Sequence, residues 1–329
     1  MGLVAERMHP RKLVLTGRAT YTVSLPKRWV ARHGLGRGSL VYLVEREDGS
    51  LLVLPAPSGG RGEEHLKVSV EIKPEENSSV ERLLIAFYEA GYETIKLIQR
   101  PYITDEFREN LRSALSRLSG LEVIEEASNY VVLQCMIDSY QVGLEKTLER
   151  MEVLVRSMLS DLLAVSKEFN AEILRGLVDR DNELDKFFFL LSKQVTLLLR
   201  RRDAGVRLGV ESPVLALPYK SYGRCLEEMG DVLTSLARYC LSKKVGIDKE
   251  LVDLMRQAFS NAIRTFKTGD AKYGKRVSYA YTEFFDDYAE RGGMGDYVVM
   301  CVGRFLGLCV DVVEARIELD ALMMSEKRS

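Results

Sequence analysis

Histidine is nearly absent: the chain has three, and none of them follows His65. Most of the sequence therefore lacks the usual ligands of zinc hydrolases and the commonest general base. It also lacks the Glu-x-x-His pairs with which helix-bundle di-iron enzymes bind their metals. Neither a glycine-rich phosphate loop nor a Gly-x-Ser-x-Gly turn occurs. We therefore expect that the protein is not an enzyme, and a metal-dependent enzyme is the least favoured function class.

Cysteine pairs and long apolar runs are also missing. The five cysteines include no Cys-x-x-Cys pair, so neither a disulfide nor a zinc site is expected, which indicates a reducing interior. No apolar signal sequence opens the chain, and Lys193 interrupts one of its most hydrophobic runs, FFFLLSKQVTLLL. No run reaches the roughly 18 to 20 uncharged apolar residues that a membrane span needs. These absences predict a cytoplasmic protein that does not insert into membranes.

The charge of the chain is unevenly distributed. The formal net charge is −1, but residues 1–55 contain nine Lys and Arg against four Asp and Glu, a net charge of +5. The remainder therefore carries −6. A small basic head on a larger acidic body is typical of a protein whose head meets a polyanion.

Short strands with turn signals predict a small β domain over residues 1–55. A Thr-Gly-Arg turn joins two strands, PKRWVARHG forms a short helix between Pro26 and Gly34, and EDGS at 47–50 makes a hairpin turn. Because so few residues make a poor core, we expect this domain to form a homodimer that buries its apolar faces. The composition of residues 56–64, APSGGRGEE, predicts a flexible linker.

The rest of the chain shows two kinds of pattern. Residues 65–138 alternate strands and helices in the order βαβαββ, which predicts a small α+β domain, a sheet with two helices on one face. From there a period of 3.6 residues predicts helices alone. The six expected helices span 141–169, 171–202, 213–243, 248–268, 270–291 and 295–325. We interpret them as an all-α pair of three-helix bundles, the first over 139–243 and the second over 244–325.

Two acidic pairs occur in the first predicted bundle. Asp181 and Asp185 on one helix, and Glu227 and Asp231 in LEEMGD on another, are each four residues apart, so each pair shares a helix face. If packing brings the four carboxylates together, their repulsion requires cations, and hard or borderline divalent ions fit. Gly230 would let the helices approach closely. The alternative is that the carboxylates are solvated or paired with neighbouring cations. Those cations are Arg180, Lys186 and Arg224.

Residues 139–325 resemble the PhoU family of phosphate-uptake regulators. The family's Leu-Glu-Arg-Ile-Gly-Asp run is matched by LEEMGD, in which Glu228 takes the place of arginine, and DNELD matches the partner motif. The resemblance implies that the four carboxylates bind a divalent or trivalent metal ion such as iron, zinc or magnesium.

The second bundle departs from the PhoU pattern. Gly307 stands where the glutamate of LEEMGD is expected, whereas Glu283 and Asp287 still make an acidic pair and Asp311 aligns with the last residue of the motif. The resemblance therefore implies at most a degenerate second metal site at Glu283, Asp287 and Asp311.

Residues 11–55 resemble the AbrB/SpoVT DNA-binding fold. The resemblance lies in TGRATYTVSLPKRWV, followed by GLGRGSLVYLVE and DGSLLVLP. It implies a β domain of swapped hairpins that is an obligate dimer and presents cations from its loops to DNA. The residues expected to reach DNA are Arg11, Lys12, Arg18, Lys27 and Arg28.

The order of an AbrB-like head, a small α+β domain and PhoU-like bundles looks like the archaeal form of the phosphate regulator. It implies a dimeric DNA-binding regulator of phosphate uptake whose helical body senses a signal through metal, phosphate or a partner protein. The rival hypothesis is an adaptor that docks on the phosphate ABC transporter and restrains it. In that case the head serves only for dimerisation.

Overall fold

The structure of the chain is a computed structural model. It describes residues 10–17, 20–45, 49–55, 66–201, 204–210, 212–290 and 296–326. The described residues form two compact units, one before and one after the segment 56–65.

The first unit contains two hairpins and one short helix. Its elements are β1 Val14–Thr16, β2 Thr20–Thr22, α1 Lys27–Arg32, β3 Val41–Glu45 and β4 Leu51–Pro55. Strand β1 pairs with β2 and β3 pairs with β4, both antiparallel and in separate sheets. Helix α1 begins directly after Pro26, as the sequence predicts, because the fixed φ of proline suits a helix start. Arg18 and the hairpin residues 46–48 lie outside the described residues.

Many apolar side chains of this unit face solvent. None of the side chains described between residues 10 and 55 is buried. Nine of its large apolar side chains are exposed, with exposed fractions from 46% at Val23 to 73% at Leu40. A soluble protein rarely leaves so many neighbouring apolar side chains uncovered, so a single copy of this unit lacks a core of its own.

The second unit opens with a layer of four strands and two helices, which we call the α+β layer. Its elements are β5 Lys67–Glu71, a 3₁₀ turn Pro74–Ser79, α2 Val80–Glu89, β6 Thr94–Ile98, α3 Asp105–Arg117, β7 Leu121–Glu126 and β8 Tyr130–Cys135. The sheet order is β5-β6-β8-β7, in which β5 and β6 are parallel and the other pairs antiparallel. The alternating residues Ile95 and Leu97 of β6 are buried and share one core with Leu84 of α2 and Phe107 of α3. The predicted βαβαββ order is therefore confirmed.

The remaining elements are all helical. They are α4 Leu144–Val165, α5 Ala171–Arg200, α6 Ala204–Leu208, a 3₁₀ turn Pro213–Leu215, α7 Ala216–Lys243, α8 Lys249–Thr268, α9 Ala271–Glu290 and α10 Tyr297–Glu326. Helices α4, α5 and α7 pack into one three-helix bundle, and α8, α9 and α10 into another. The bundles meet where α7 packs on α10 and α4 on α8. The six long helices match the predicted segments, and only the short α6 was not expected. Within the described ranges, no helix combines the length and apolar character of a membrane span.

Side chains and glycines define the ends of several helices. Asn170 accepts hydrogen bonds from two backbone N–H groups in the first turn of α5, and Asp248 accepts one at the start of α8. Gly269 ends α8 in the left-handed region, with φ of 69°. These local signals explain why the predicted helix boundaries fall close to the observed ones.

Helix α5 is enclosed on several sides. From Asp185 onward, every fourth residue of this segment contacts the α+β layer, and we call this set the contact stripe. It comprises Asp185, Phe189, Lys193, Leu197 and Arg201, the last of which is the C-cap residue of α5. On other sides Leu184 and Leu191 pack against α7 at Gly230 and Gly223, and Gln194 hydrogen-bonds to α4. The C-terminal half of α5 is buried on most sides, and its sequence between Phe187 and Leu199 is accordingly a nearly continuous apolar run.

Gly223→Ala should lower the free energy of unfolding by about 1–3 kcal/mol. A Cβ at this position would overlap Leu191 Cδ2 and lie 3.4 Å from Leu148 Cδ2, so the packing of α4, α5 and α7 must shift. Urea denaturation measures the change. Gly176→Ala is the matched control, because a Cβ there meets nothing within 4 Å. That control should gain up to about 1 kcal/mol from helix propensity, and equal losses in both variants would contradict the close packing.

Candidate functional site

Four carboxylates of the first bundle form what we call the acidic cluster: Asp181, Asp185, Glu227 and Asp231. The first two lie on α5 and the last two on α7, each pair one turn apart. The helices approach closely because α7 has a glycine there. A Cβ on Gly230 would overlap Leu184 Cδ2 and lie 3.2 Å from Asp181 Oδ1. The structure thus brings the four predicted residues to one region, and the glycine has the close-approach role expected for it.

The carboxylates of the acidic cluster raise one another's pKa values. Burial raises the pKa of Asp181 to about 6, and the charges of Asp185 and Asp231 add to this shift. Burial also raises the pKa of Glu227 to about 7, although the charge of Arg224 opposes it. The pKa of Asp231 is raised by burial and by Asp185. The cluster therefore holds more negative charge than its surroundings stabilise.

Arg117, the last residue of α3, supplies a cation to this cluster. Its Nη2 and Nε donate to Asp185 Oδ2 at 2.6 and 3.0 Å, and its Nη1 donates to Glu81 Oε1 of α2 at 2.8 Å. Burial alone would lower the pKa of Arg117, but these two carboxylates raise it. The α+β layer therefore neutralises one of the four carboxylates of the PhoU-like bundle.

The sequence did not identify Arg117 as a partner. It lies 68 residues before Asp185, and no local pattern links the two positions. Of the cations that the sequence offered, Arg180 bonds to Asp161 instead, whereas Arg224 reaches Glu227.

One oxygen of Glu227 lacks a hydrogen-bond donor among the residues that the structure describes. Arg224 Nε lies 3.6 Å from Glu227 Oε2, which makes an ion pair but is too long for a hydrogen bond. Within the described residues Glu227 Oε2 is buried and receives no hydrogen bond. A buried carboxylate oxygen in this state is destabilising unless a proton or a cation reaches it.

The donor chemistry of the acidic cluster suits a hard cation, since all its potential ligands are carboxylate oxygens. The arrangement is not a ready metal site, however. Among the described residues, no group of three or more His, Cys, Asp or Glu side chains could hold a metal ion. The Arg117 guanidinium already pairs with the Asp185 carboxylate. A cation shared by all four carboxylates therefore requires Arg117 to move away.

The residues of the expected second site lie on two helices. Glu283 and Asp287 of α9 line an acidic surface cavity of about 310 Å³. Asp311 lies on α10, where burial and Glu228 raise its pKa and Arg304 lowers it. Among the described residues, the charged groups that act most on Asp311 belong to α10 and α7.

Glu228, the residue that departs from the PhoU motif, connects the two bundles. It accepts a hydrogen bond from Arg224 Nε at 2.9 Å and another from Arg304 of α10. Burial alone would raise the pKa of Glu228, but these two arginines outweigh it and lower the pKa. The departure from the motif thus adds an ion pair between α7 and α10.

The predicted DNA-binding residues of the first unit are exposed where the structure describes them. They are Arg11, Lys12, Lys27 and Arg28. Lys27 and Arg28 are the first two residues of α1, whereas Arg11 and Lys12 lie just before β1. Arg18 lies outside the described residues. The exposed cations are available to an anionic partner.

A family model for the PhoU domain matches residues 148–240. This part of the chain is therefore similar to PhoU domains. The match runs from α4 to α7 and includes the whole acidic cluster, which confirms the resemblance read from LEEMGD and DNELD.

A second family model matches residues 14–61, and its description is the antidote-toxin recognition domain MazE of bacterial antitoxins. The match confirms the MazE/AbrB-like class of the head ahead of the PhoU domain. No curated protein matches the chain significantly. Among solved structures, PhoU from Pseudomonas aeruginosa matches at 16% identity and a TM-score of 0.37, covering 56% of this chain and 95% of that one. The archaeal assignment stays a prediction.

Proposed function

We propose that the protein is a dimeric DNA-binding regulator of phosphate uptake without enzymatic activity. The observation that supports this function is the combination in one chain of a MazE-type domain and a PhoU domain. Both are domains of regulators. The MazE-type unit would bind DNA, and the PhoU domain would tie that binding to the phosphate supply.

The exposed apolar side chains of the first unit support homodimerisation through this unit. Leu13, Leu40 and Leu43 are more than half exposed in a single copy. Fully burying one such side chain contributes about 1.5–3 kcal/mol, so a few of them on each copy can sustain a stable dimer. The dimer would carry two sets of the exposed cations and could contact two half-sites on DNA.

Replacing Lys27 and Arg28 with alanine together should weaken DNA binding at least about 10-fold and reduce the salt slope of the binding constant by about 2. Each lost phosphate contact releases about one counterion fewer. Fluorescence anisotropy with promoter DNA of the genome's own phosphate-transport genes, at several salt concentrations, measures both effects.

The matched control is Lys272→Ala, an exposed lysine of α9 in the second unit, which should leave affinity and salt slope unchanged. Weak binding with the same salt slope in the unmodified chain, the double variant and the control would contradict the DNA-binding role. Sedimentation of the unmodified chain as a monomer would contradict the dimer.

The acidic cluster is the proposed sensor of a divalent or trivalent cation. Once Arg117 withdraws and the side chains rearrange, Asp181, Asp185, Glu227 and Asp231 would together hold the ion through carboxylate oxygens. A bound ion would supply the positive charge that Arg117 now supplies in part. Such a change alters the contact between the α+β layer and the PhoU domain, which is the differential contact that a switch requires.

An adaptor is the second candidate function. The PhoU domain supports it by itself, because docking on subunits of a phosphate ABC transporter needs no contact with DNA. In this case the first unit would only dimerise the chain. Capture of the transporter ATPase by the full-length protein, together with no specific site in a genome-wide DNA-binding experiment, would favour the adaptor over the DNA-binding regulator.

A further inference from the structure

Lys193 of the contact stripe is a buried cation without a carboxylate partner in the described part of the chain. Its side chain is nearly enclosed, with 2% of the residue exposed. The Nζ donates to Cys135 Sγ at 3.0 Å and lies 4.5 Å from the centre of the Tyr88 ring. Burying an ammonium is costly unless an anion compensates it. Among the described residues, the group that accepts its hydrogen bond is the Cys135 thiol.

Cys135 differs from the other four cysteines in this contact. All five are free thiols. Burial raises the pKa of Cys225 to about 12 and also raises the pKa of Cys240, Cys301 and Cys309, which keeps them as unreactive thiols. Cys135, at the end of β8, is partly exposed and adjoins an ammonium. A partly exposed thiol beside a cation is the arrangement in which cysteine reacts with peroxides.

We propose that Cys135 and Lys193 form a peroxide-sensitive pair that oxidation joins through a sulfur–nitrogen bond. In the first step the Cys135 thiolate attacks one oxygen of hydrogen peroxide. The O–O bond breaks, an S–O bond forms, and the second oxygen leaves as water with a proton from the Lys193 ammonium. Sulfur is oxidised by two electrons to sulfenic acid, and peroxide is reduced.

The second step uses the amine that the first step creates. The neutral Nζ of Lys193 attacks the sulfenic sulfur, the S–O bond breaks, and hydroxide leaves with the amine proton as water. Sulfenic acids condense with nitrogen nucleophiles in this way. Overall, one thiol, one amine and one hydrogen peroxide give one sulfenamide and two waters.

The product would link the α+β layer covalently to α5. Cys135 ends β8, and Lys193 lies in the middle of the contact stripe that also includes Asp185 and Leu197. Oxidation would therefore fix the position of the layer on the PhoU domain. A thiol reductant would release it, because sulfenamides are reduced by thiols.

Mass spectrometry of the full-length protein after treatment with hydrogen peroxide tests the pair. We expect the intact mass to fall by about 2 Da, the loss of two hydrogens. Protease digestion should then give one cross-linked peptide that contains Cys135 and Lys193, and dithiothreitol should restore both separate peptides.

Lys193→Met should abolish the cross-link and slow the oxidation of Cys135 at least about 10-fold, and Cys135→Ser should abolish the mass loss. Cys301→Ser is the matched control, since Cys301 is also partly exposed but adjoins no lysine among the described residues. It should behave as the unmodified chain does. Sulfenic acid without a cross-link, equal oxidation rates with and without Lys193, or oxidation of Cys301 ahead of Cys135 would overturn the proposal. The peptide map of the unmodified chain decides the matter even if a variant fails to fold.

Discussion

Arg117→Met should lower the free energy of unfolding by about 2–4 kcal/mol. The change removes the cation from Asp185, whose side chain is 11% exposed, and from Glu81, whose side chain is 23% exposed. Methionine retains much of the apolar stem, so the loss reports mainly on the two carboxylates left without a partner. Urea denaturation at pH 7.5 in the presence of a chelator measures the effect.

Arg108→Met provides the matched control for this experiment. Arg108 lies on the same helix and pairs with Glu126, but both side chains are more than a third exposed. An exposed ion pair contributes about 0–1 kcal/mol, so this variant should remain close to the unmodified chain. Asp185→Asn in the Arg117→Met background should recover part of the loss. Equal losses of stability in the two arginine variants would show that the contact between Arg117 and Asp185 stabilises the chain no more than an exposed ion pair does.

The same variant also tests the cation proposal. With Arg117 removed, all four carboxylates of the acidic cluster become available to a divalent ion. Elemental analysis should find more bound metal in Arg117→Met than in the unmodified chain, and less in a variant that also carries Glu227→Gln and Asp231→Asn. The same metal content in all three proteins would exclude this cluster as the site.

The metal-free chain should lose about 2–4 kcal/mol of stability between about pH 4 and pH 7 because of Asp181 and Glu227. This loss is smaller than the roughly 6 kcal/mol that the full pKa shifts would give, because solvent screens these partly exposed groups. Their pKa values rise from 3.8 to about 6 and from 4.5 to about 7 on folding. The folded chain thus binds these protons more tightly than the unfolded chain. The stabilisation that these bound protons give is complete below the pKa values of the unfolded chain. It is lost as the pH rises through the pKa values of the folded chain. Denaturation in a chelator at several pH values measures the slope.

Asp181→Asn combined with Glu227→Gln should flatten this pH dependence. The double variant should be more stable than the unmodified chain at pH 7.5, because neither amide can ionise. Glu283→Gln, at an exposed position of α9, serves as the control and should retain the original slope. A divalent cation should stabilise the unmodified chain most at high pH. An unchanged slope in the double variant would mean that other groups cause the loss.

Much of the fold could be predicted from the sequence because helices buried on one face retain their period. Val252, Met255, Phe259 and Phe266 recur along the buried face of α8 at helical spacing. The alternation of buried residues in β6 likewise indicated a strand. Local rules of this kind do not depend on what the element packs against.

The contacts of the candidate site could not be predicted in this way. The approach of Arg117 to Asp185 depends on how the α+β layer packs on α5, which no spacing encodes. The role of Glu228 depends on the contact between α7 and α10, where Arg304 meets it. The sequence identified the four carboxylates of the acidic cluster, but not the arginine of a different layer that already pairs with one of them.

The contact stripe of α5 also has a consequence for any protein that binds this chain. A partner that recognises this face of the PhoU domain must first displace the α+β layer, whose strand β8 is joined to α4 by the short segment between Cys135 and Leu144. Such a short tether gives the layer an effective concentration on the order of millimolar. A partner at micromolar concentration would therefore need roughly a thousandfold higher intrinsic affinity to compete equally.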